Sequence, residues 1–275
     1  MYRGLIVNLN IDPNTARDSA ADYAISLAQL IGAHLMATAF GRALFIVAPV
    51  LPPTMQLLDA ENRAREEQAA AAADRFKHLA HRHGVDAEAQ STCSTTGDSA
   101  SAFSALARCH DLAIVGQPSD QPVSPEDVFF EAALIDSGRP VIVVPFTHTG
   151  PARLGRIMCC WDGTRESARA IGDSLCLLRV AENVLLYSAH VTPHNLINPS
   201  DMLAHLSRHG IEAEHDKSSV IIEDVPSAIL ARASDFCADL IVMGGYGHSR
   251  LREFILGGVT RSILDTTTVP VMFAH

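Results

Sequence analysis

The 275-residue sequence lacks several features that would assign it to a class at once. No apolar run approaches the roughly 20 residues that span a bilayer, so we expect no membrane partner. The first residues, "MYRGLIVNLN", have the pattern of a strand and lack the basic and long apolar regions of a secretory signal. These absences predict a cytoplasmic protein.

Clustered positive charge is scarce as well. The formal net charge is −10 at pH 7, whereas surfaces that bind nucleic acid collect lysine and arginine. We therefore expect no nucleic-acid partner, and any anion site must be local. The cysteines form no CxxC pair, and Cys159 and Cys160 are adjacent in an apparent strand, so we expect reduced, mostly buried thiols.

Common catalytic and metal motifs are also absent. The chain has no G-x-S-x-G elbow and no HExxH, and Ser249 has no identifiable base. Histidines do cluster, and the residues concerned are His78, His81, His83, His190, His194, His205, His209 and His215. No carboxylate pattern accompanies them, so we expect solvated helix ends in preference to a metal site.

The chain does contain an internal repeat. "RHGVDAEA" at 82–89 returns as "RHGIEAEH" at 208–215, and "DLAIVG" at 111–116 returns as "DLIVMG" at 239–244. In each unit, apolar runs alternate with stretches whose apolar residues recur at three and four spacing. Such alternation predicts strands and helices in turn. With the repeated phrases, it indicates that the chain consists of two copies of one structural unit.

Several of the predicted strands are continuous apolar runs, which is typical of a parallel sheet covered on both faces. We therefore predict an α/β fold of two tandem doubly wound, Rossmann-like domains. The segment "FTHTGPARLG" at 146–155 has the composition of a linker. It places the first domain at 1–148 and the second at 153–275.

The first repeat is longer than the second around residues 41–80. An apolar, proline-rich segment is followed there by a strong helix-forming stretch. A lid, a packing arm and a partner surface are all consistent with it, and a long solvated helix is the simplest interpretation.

The second repeat has a glycine run, "GGYGHSRLREFILGGVTRS" at 244–262, directly after a buried strand. Glycines let backbone N–H groups approach an anion, and a helix that starts near Gly258 would direct its free N–H groups to the same point. The run is neither a Walker loop nor a GxGxxG motif. Its spacing favours a phosphate loop, with a plain strand-to-helix turn as the alternative.

G-x-x-G, nine residues and a further glycine after a fourth strand resemble the ATP-binding signature of the universal stress protein family. "WDGTRESARA" at 161–170 is similar to the family's strand-end Asp, Gly and Ser before a small-residue helix. With the repeat, the resemblance covers the chain as a tandem universal stress protein. It implies an adenine nucleotide alpha-hydrolase-like fold that binds ATP or a related adenine nucleotide together with Mg²⁺.

The resemblance implies a role for each matching position. Backbone N–H groups would line the phosphates, at Gly244, Gly247, Gly257 and Gly258. Met243 and Val259 would flank these glycines. Asp162 would lie by the ribose or a phosphate-bound Mg²⁺, and Ser188 near the adenosine end.

One position departs from the family pattern. The pattern has Ser or Thr after the third glycine, where this chain has Gly258. The N–H donor is kept and the hydroxyl is lost, and one neutral hydrogen bond contributes about 1 kcal/mol net. We expect weaker binding. Basic residues near the loop could offset phosphate charge or simply be solvated, and they are His248, Arg250, Arg252 and Arg261.

The first repeat lacks the glycine run. After "DLAIVG" it has Gly116 alone, then prolines and acidic residues, which are Glu126, Asp127 and Glu131. We expect no phosphate there. Asp12 occupies roughly the place of Asp162. Because the first repeat lacks the glycine run, we expect Asp12 to be a cap or turn residue.

We therefore expect a stress-related protein that binds an adenine nucleotide in its second domain, with at most weak ATP hydrolysis. A nucleotide hydrolase or transferase on the same fold is one alternative. The other is an interaction scaffold that uses the apolar arm at 44–58. The resemblance further implies that the two domains pair within the chain, and it leaves a homodimer open.

Overall fold

The computed structural model describes residues 1–12, 17–43, 52–94, 96–118, 125–189, 198–218, 221, 224–245 and 258–275. Strands and helices alternate along these ranges, as the apolar patterns predict. No helix in the described ranges is both long and apolar enough to cross a membrane.

The first repeat runs from β1 to β5. Its elements are β1 Gly4–Asn8, α1 Ser19–Ile31, β2 His34–Arg42, α2 Pro52–Arg82, β3 Ala87–Ser94, α3 Thr96–Ala107, β4 Leu112–Gly116, α4 Pro125–Glu131 with a π-helical turn Ala132–Asp136, and β5 Val141–Val144. The helix-forming stretch in the longer segment of this repeat is α2.

The second repeat has the same element order. Its elements are β6 Arg156–Cys160, α5 Arg165–Leu178, β7 Asn183–Ser188, α6 Pro199–Arg208, β8 Ala213–Lys217, α7 Val225–Phe236, β9 Leu240–Gly244, α8 Gly258–Thr266 and β10 Val271–Ala274.

The sheets are mostly parallel, as the apolar runs predict. Strands β3, β2, β1 and β4 lie side by side in that order, each parallel to its neighbour. In the second half the order is β10, β9, β6, β7 and β8, again parallel. Strand β5 pairs with β10 in the antiparallel sense. The predicted α/β class is therefore confirmed.

The chain divides into two compact units. One comprises Tyr2–Arg139 and Thr149–Pro151, and the other comprises Met1, Pro140–His148 and Ala152–His275. By this division β5, the last strand of the first repeat, lies in the same unit as β10. The domain bounds of 1–148 and 153–275 stay a prediction.

The core of each unit is formed by the central strands. Side chains of β1 and β4 are almost completely buried, as are those of β6 and β9. These are the continuous apolar runs of the sequence, and helices cover them on both faces because the chain winds out and back across the sheet. The helices cover the two faces of each sheet, so the carboxyl ends of its strands are left uncovered.

Equivalent hydrogen bonds begin the first strand of both repeats. The Asp111 carboxylate accepts from the Gly4 N–H at 3.0 Å, and the Asp239 carboxylate accepts from the Arg156 N–H at 2.8 Å. The N–H of each aspartate in turn donates to the carbonyl of the same strand residue, at 2.8 Å in both cases. Two stretches of similar sequence thus make the same backbone contacts.

Candidate functional site

The candidate site lies at the carboxyl edge of the second sheet. Strands β9, β6 and β7 are neighbours, and all three are parallel. Their carboxyl ends therefore meet at one edge, where doubly wound folds bind ligands. Asp162, Gly244 and Ser188 each lie at or just beyond one of these ends.

Asp162 forms the turn between β6 and α5. Its Oδ1 accepts hydrogen bonds from the Thr164 N–H at 3.0 Å and from the Thr164 hydroxyl at 2.7 Å. Gly163 between them has φ 78°, a left-handed conformation that glycine adopts without strain. Asp162 is exposed, and Oδ2 makes no hydrogen bond within the described part of the chain. One carboxylate oxygen is thus held in the turn, and the other is accessible.

Thr164 also begins helix α5. It is the N-cap residue, and its hydroxyl oxygen accepts from the Ser167 N–H at 3.3 Å. The positive end of the α5 dipole therefore lies beside the Asp162 turn. This short segment joins a carboxylate and a helix N-terminus at the strand edge.

Gly244 is in close contact with the first turn of α5. A Cβ added to Gly244 would lie 2.7 Å from the Glu166 carbonyl carbon and 2.7 Å from the Ser167 nitrogen. Only glycine permits this approach of strand end to helix. Gly244 therefore has a packing role that the glycine spacing alone did not reveal, and it couples the start of the glycine run to the Asp162 turn.

The residue after Gly244 is also fixed. The Gly245 N–H donates to the Ala274 carbonyl at 2.8 Å, and the Gly245 carbonyl lies 3.1 Å from His275 Nδ1. Gly247 and Gly257 lie outside the described residues, as do His248, Ser249, Arg250 and Arg252.

Helix α8 begins at Gly258, as the glycine run predicts for the helix that follows it. Gly258 is exposed, and a Cβ added there meets no described atom within 4 Å. Val259 is half-buried, and Met243 on β9 is 5% exposed. The first turn of α8 is therefore open at Gly258, where its N–H groups have no helical acceptor.

Ser188 ends β7 and is buried, and its hydroxyl lies 3.3 Å from Nε2 of His215 on β8. Burial lowers the pKa of His215, and the nearby Lys217 lowers it further, while Asp216 acts in the opposite sense. The imidazole is thus held towards its neutral form beside the Ser188 hydroxyl. In the sequence His215 stands out only as one of the clustered histidines, because it is the fold that brings β8 beside β7 and Ser188.

Two ion pairs lie near the site among the residues that the structure describes. Arg261 on α8 forms an ion pair with Asp265, at 2.9 Å from Nε to Oδ1. Glu166, whose side chain is buried, is paired with the exposed Arg165. Arg261 therefore does not bring a free positive charge to the glycine run, and Glu166 is a buried carboxylate that the sequence analysis did not identify.

Two thiols lie on β6 next to the site, Cys159 and Cys160. Burial raises the pKa of Cys159 to about 12, and burial together with Cys159 and Asp162 raises that of Cys160 as well. Both therefore stay protonated at neutral pH. The expectation of mostly buried thiols is wrong, since Cys159 alone among the six cysteines is buried, and Cys109 and Cys237 are exposed. Among the described residues no group of three or more His, Cys, Asp or Glu side chains is placed to hold a metal ion. His190 and His194 lie outside these residues.

The first repeat has the same turn with a different residue. The Leu9 N–H donates to the Thr38 carbonyl at 2.8 Å, as the Trp161 N–H does to Tyr187 in the second repeat. The residues that follow Leu9 and Trp161 therefore occupy equivalent positions in the two repeats. Asn10 is thus the counterpart of Asp162.

The predicted equivalence of Asp12 with Asp162 is wrong for this reason. Asn10 Oδ1 accepts from the N–H two residues on, that of Asp12, at 2.8 Å, as Asp162 does from Thr164. Asp12 is a turn residue, as expected, but the N-cap of α1 is Asp18, which accepts from the Ala21 N–H at 3.0 Å. An amide thus replaces the accessible carboxylate in the first repeat.

Aromatic side chains pack at the carboxyl edge of the first sheet. Phe129 on α4 lies 5.4 Å from Phe40 on β2 and 5.8 Å from Phe103 on α3, centroid to centroid. Asp127 on the same helix is buried, and Gly116 ends β4 with Gln117 buried after it. The region that is open at α8 in the second repeat is packed with rings in the first.

Comparisons with known proteins agree with this geometry. Residues 154–275 match the universal stress protein family. The curated universal stress protein Slr1230 of Synechocystis is 24% identical over 121 residues, a match that spans 42% of this chain and 41% of that relative. The chain therefore aligns with less than half of the relative's length.

Solved structures resemble the whole chain. A universal stress protein from Archaeoglobus fulgidus has a TM-score of 0.74 and 15% identity, over 98% of this chain and 95% of that one. A protein of unknown function from Pseudomonas aeruginosa PAO1 has a TM-score of 0.57 and 16% identity, over 99% and 92%. At such identities the likeness establishes the fold, which confirms the predicted architecture.

Proposed function

We propose that this chain, a member of the universal stress protein family through its residues 154–275, is a tandem protein that binds ATP or a related adenine nucleotide in its second repeat. The observation that carries the proposal is the contact between Gly244 and the first turn of α5. This contact joins the two segments expected to hold the nucleotide, which are far apart in the sequence.

The described residues fit a nucleotide in three respects. Asp162 offers an accessible carboxylate oxygen, which suits a ribose hydroxyl or a Mg²⁺ ion carried by phosphates. The first turn of α8 offers N–H groups that have no acceptor within the helix, which suit phosphate oxygens. The start of that helix at Gly258 is open.

Ser188 and the half-buried Val259 complete the proposed site, with Met243 buried behind it. Gly247 and Gly257 would add backbone donors from the loop. Because Arg261 is paired, Mg²⁺ and the N-terminus of α8 would compensate phosphate charge, together with any contribution from His248, Arg250 and Arg252. We therefore expect nucleotide affinity to depend on the divalent cation.

The proposed role is stress-related binding or signalling and not rapid catalysis. No residue in the turn or at the start of α8 is identified as a base that would orient water for attack on a phosphate. A cytoplasmic location, and the pairing of the two repeats within the chain, belong to the same proposal.

Trp161 provides a direct test, because it is the only tryptophan and adjoins Asp162. Titration with ATP and Mg²⁺ should change its fluorescence and release heat in calorimetry. Asp162→Ala should raise the dissociation constant at least about tenfold, since a hydrogen bond to a charged group contributes about 1.5–3 kcal/mol.

Asn10→Ala is the matched control, because it alters the same turn in the first repeat. It should leave nucleotide affinity unchanged. Absence of fluorescence change and heat at millimolar nucleotide would overturn the proposal. Steady ATP turnover that disappears in Asp162→Ala would instead favour a hydrolase.

A further inference from the structure

The first repeat has an open cleft of about 300 Å³, beside the turn that follows β1. Ile11 in that turn forms one wall, and one face of α2 forms the other, with Ala64, Glu67, Gln68, Ala71 and Arg75. The cleft thus lies at the carboxyl edge of the first sheet, where doubly wound folds bind ligands, and its volume suits a small molecule.

The wall formed by α2 is rigid where it meets the sheet. A Cβ added to Gly41 on β2 would lie 2.8 Å from the Arg65 carbonyl oxygen and 3.2 Å from Cys93 Sγ. The backbone of α2 at Arg65 therefore packs directly against the backbone of β2 at Gly41. After Arg65, the face of α2 that is turned to the sheet is buried, at Ala69, Ala72, Ala73, Phe76 and Ala80. This packing holds the wall of the cleft in place.

Three apolar residues form a track along the face of α2 that lines the cleft, with Glu67 and Gln68 between two of them. Leu57, Ala64 and Ala71 recur every seven residues, which places them on one side of the helix. The track is about 21 Å long at 1.5 Å per residue. Leu57 is 64% exposed, so the track continues beyond the cleft as uncovered apolar surface.

Arg75 lies one helical turn beyond Ala71, at one end of this track. Within the described residues its guanidinium makes no ion pair, whereas Lys77 nearby pairs with Asp74 at 3.4 Å. Glu67 carries the opposite charge, but it lies eight residues away, about 12 Å along the helix. A carboxylate bound by Arg75 would therefore lie on the opposite side of Ala71 from the Glu67 backbone.

We propose that this cleft binds an amphipathic organic anion, of the alkyl carboxylate class. The alkyl chain lies against Ile11, Ala64 and Ala71, and the carboxylate accepts the paired N–H groups of Arg75. The Gln68 amide, between the two ends, offers a hydrogen bond to a polar substituent. This site lies in the repeat that lacks the glycine run, so it does not depend on nucleotide binding by the second repeat.

The test uses decanoate below its micelle concentration and the full chain with labelled isoleucine and alanine methyl groups. NMR should show saturable shifts at Ile11, Ala64 and Ala71. Arg75→Gln should weaken binding about tenfold, because it removes a charge-assisted contact. Lys77→Gln, a charge change on the same helix outside the cleft, should leave the affinity unchanged.

Ala71→Phe should abolish the shift at Ile11 by filling the cleft, and Ala64→Phe should do the same. Both residues are exposed, so circular dichroism should show an unchanged fold. Decylammonium tests the charge, and it should bind at least tenfold more weakly than decanoate. Equal binding of the two probes would overturn the proposal, as would an unchanged decanoate affinity in Arg75→Gln or the absence of any saturable shift at Ile11.

Discussion

At the carboxyl edge of its sheet, the first repeat presents the Asn10 amide and a helix packed by phenylalanine rings, whereas the second presents the Asp162 carboxylate and a helix open at Gly258. The backbone turns are the same, with equivalent hydrogen bonds after β1 and β6. Divergence has therefore changed the side chains at the edge and kept the scaffold that holds them.

The same contrast holds at the second strand of each repeat. Ser188 and His215 form a polar pair across β7 and β8 in the second repeat. The strand registers place Ala39 and Ala89 at the equivalent positions of the first. The first repeat thus has no hydrogen-bonding side chain at either of these positions, and a nucleotide site there would require several simultaneous changes.

The aromatic packing should contribute the largest effect. Phe129→Ala removes a ring that is 6% exposed and packs on two others, and such a truncation costs about 3–5 kcal/mol. Urea denaturation should report this loss. Phe146→Ala is the matched control, because Phe146 is 72% exposed and its loss should change stability by less than about 0.5 kcal/mol.

The Phe129→Ala variant also tests whether the rings alone distinguish the repeats. Calorimetry with ATP and Mg²⁺ should find no additional binding site, because Asn10 and the lone Gly116 remain. A second nucleotide bound by this variant would contradict our account of the first repeat.

The strand-end glycines should respond to alanine with opposite signs. Gly244→Ala places a Cβ 2.7 Å from backbone atoms of α5, and such overpacking should cost about 1–3 kcal/mol. At Gly116 an added Cβ meets no described atom within 4 Å, so Gly116→Ala should stabilise by about 0.4–1 kcal/mol through the unfolded chain. Urea midpoints of the two variants should therefore move in opposite directions, and equal losses would show that Gly244 has no special contact.

The fold was predictable because its signals are local. Continuous apolar runs in the central strands, such as Leu240–Gly244, and the helical spacing between them are set by burial, which repeats along the chain. The glycine run and the "WDGT" turn likewise marked two strand ends of one parallel sheet. Asp162 and Gly244 were identified for this reason.

The residues that were missed depend on tertiary contact. The pairing of Ser188 with His215 requires the register of β7 on β8, which no spacing along the chain encodes. The contact of Gly244 with Glu166 requires a strand and a helix that are far apart in the sequence. Asn10 was overlooked because its equivalence to Asp162 is a matter of backbone hydrogen bonds and not of residue type.

A smaller effect is expected from restoring the family's hydroxyl in the second repeat. Gly258→Ser meets no steric obstacle, keeps the N–H donor and adds one hydrogen-bonding group. Nucleotide affinity should rise about fivefold, which corresponds to about 1 kcal/mol. Gly258→Ala is the matched control, since it adds the Cβ without the hydroxyl, and it should leave the Trp161 titration unchanged. An equal gain in both variants would assign the effect to the helix and not to the ligand.

The smallest effect is a pH dependence that arises from His215 of the second repeat. Because the folded-state pKa of His215 is lowered, chiefly by burial, the unfolded chain binds this proton more readily. The stability contributed by neutral His215 is therefore full above about pH 6.5, the ordinary histidine pKa, and is lost as pH falls below it.

His215→Ala copies Ala89 of the first repeat and removes this titration. The free energies of unfolding of the original chain and the variant, measured by urea denaturation, should therefore approach each other as pH is lowered from 7.5 to 5. Other titrating groups are common to both proteins, so they cancel in the difference. A difference that stays constant or widens on acidification would show that His215 is not held neutral beside Ser188.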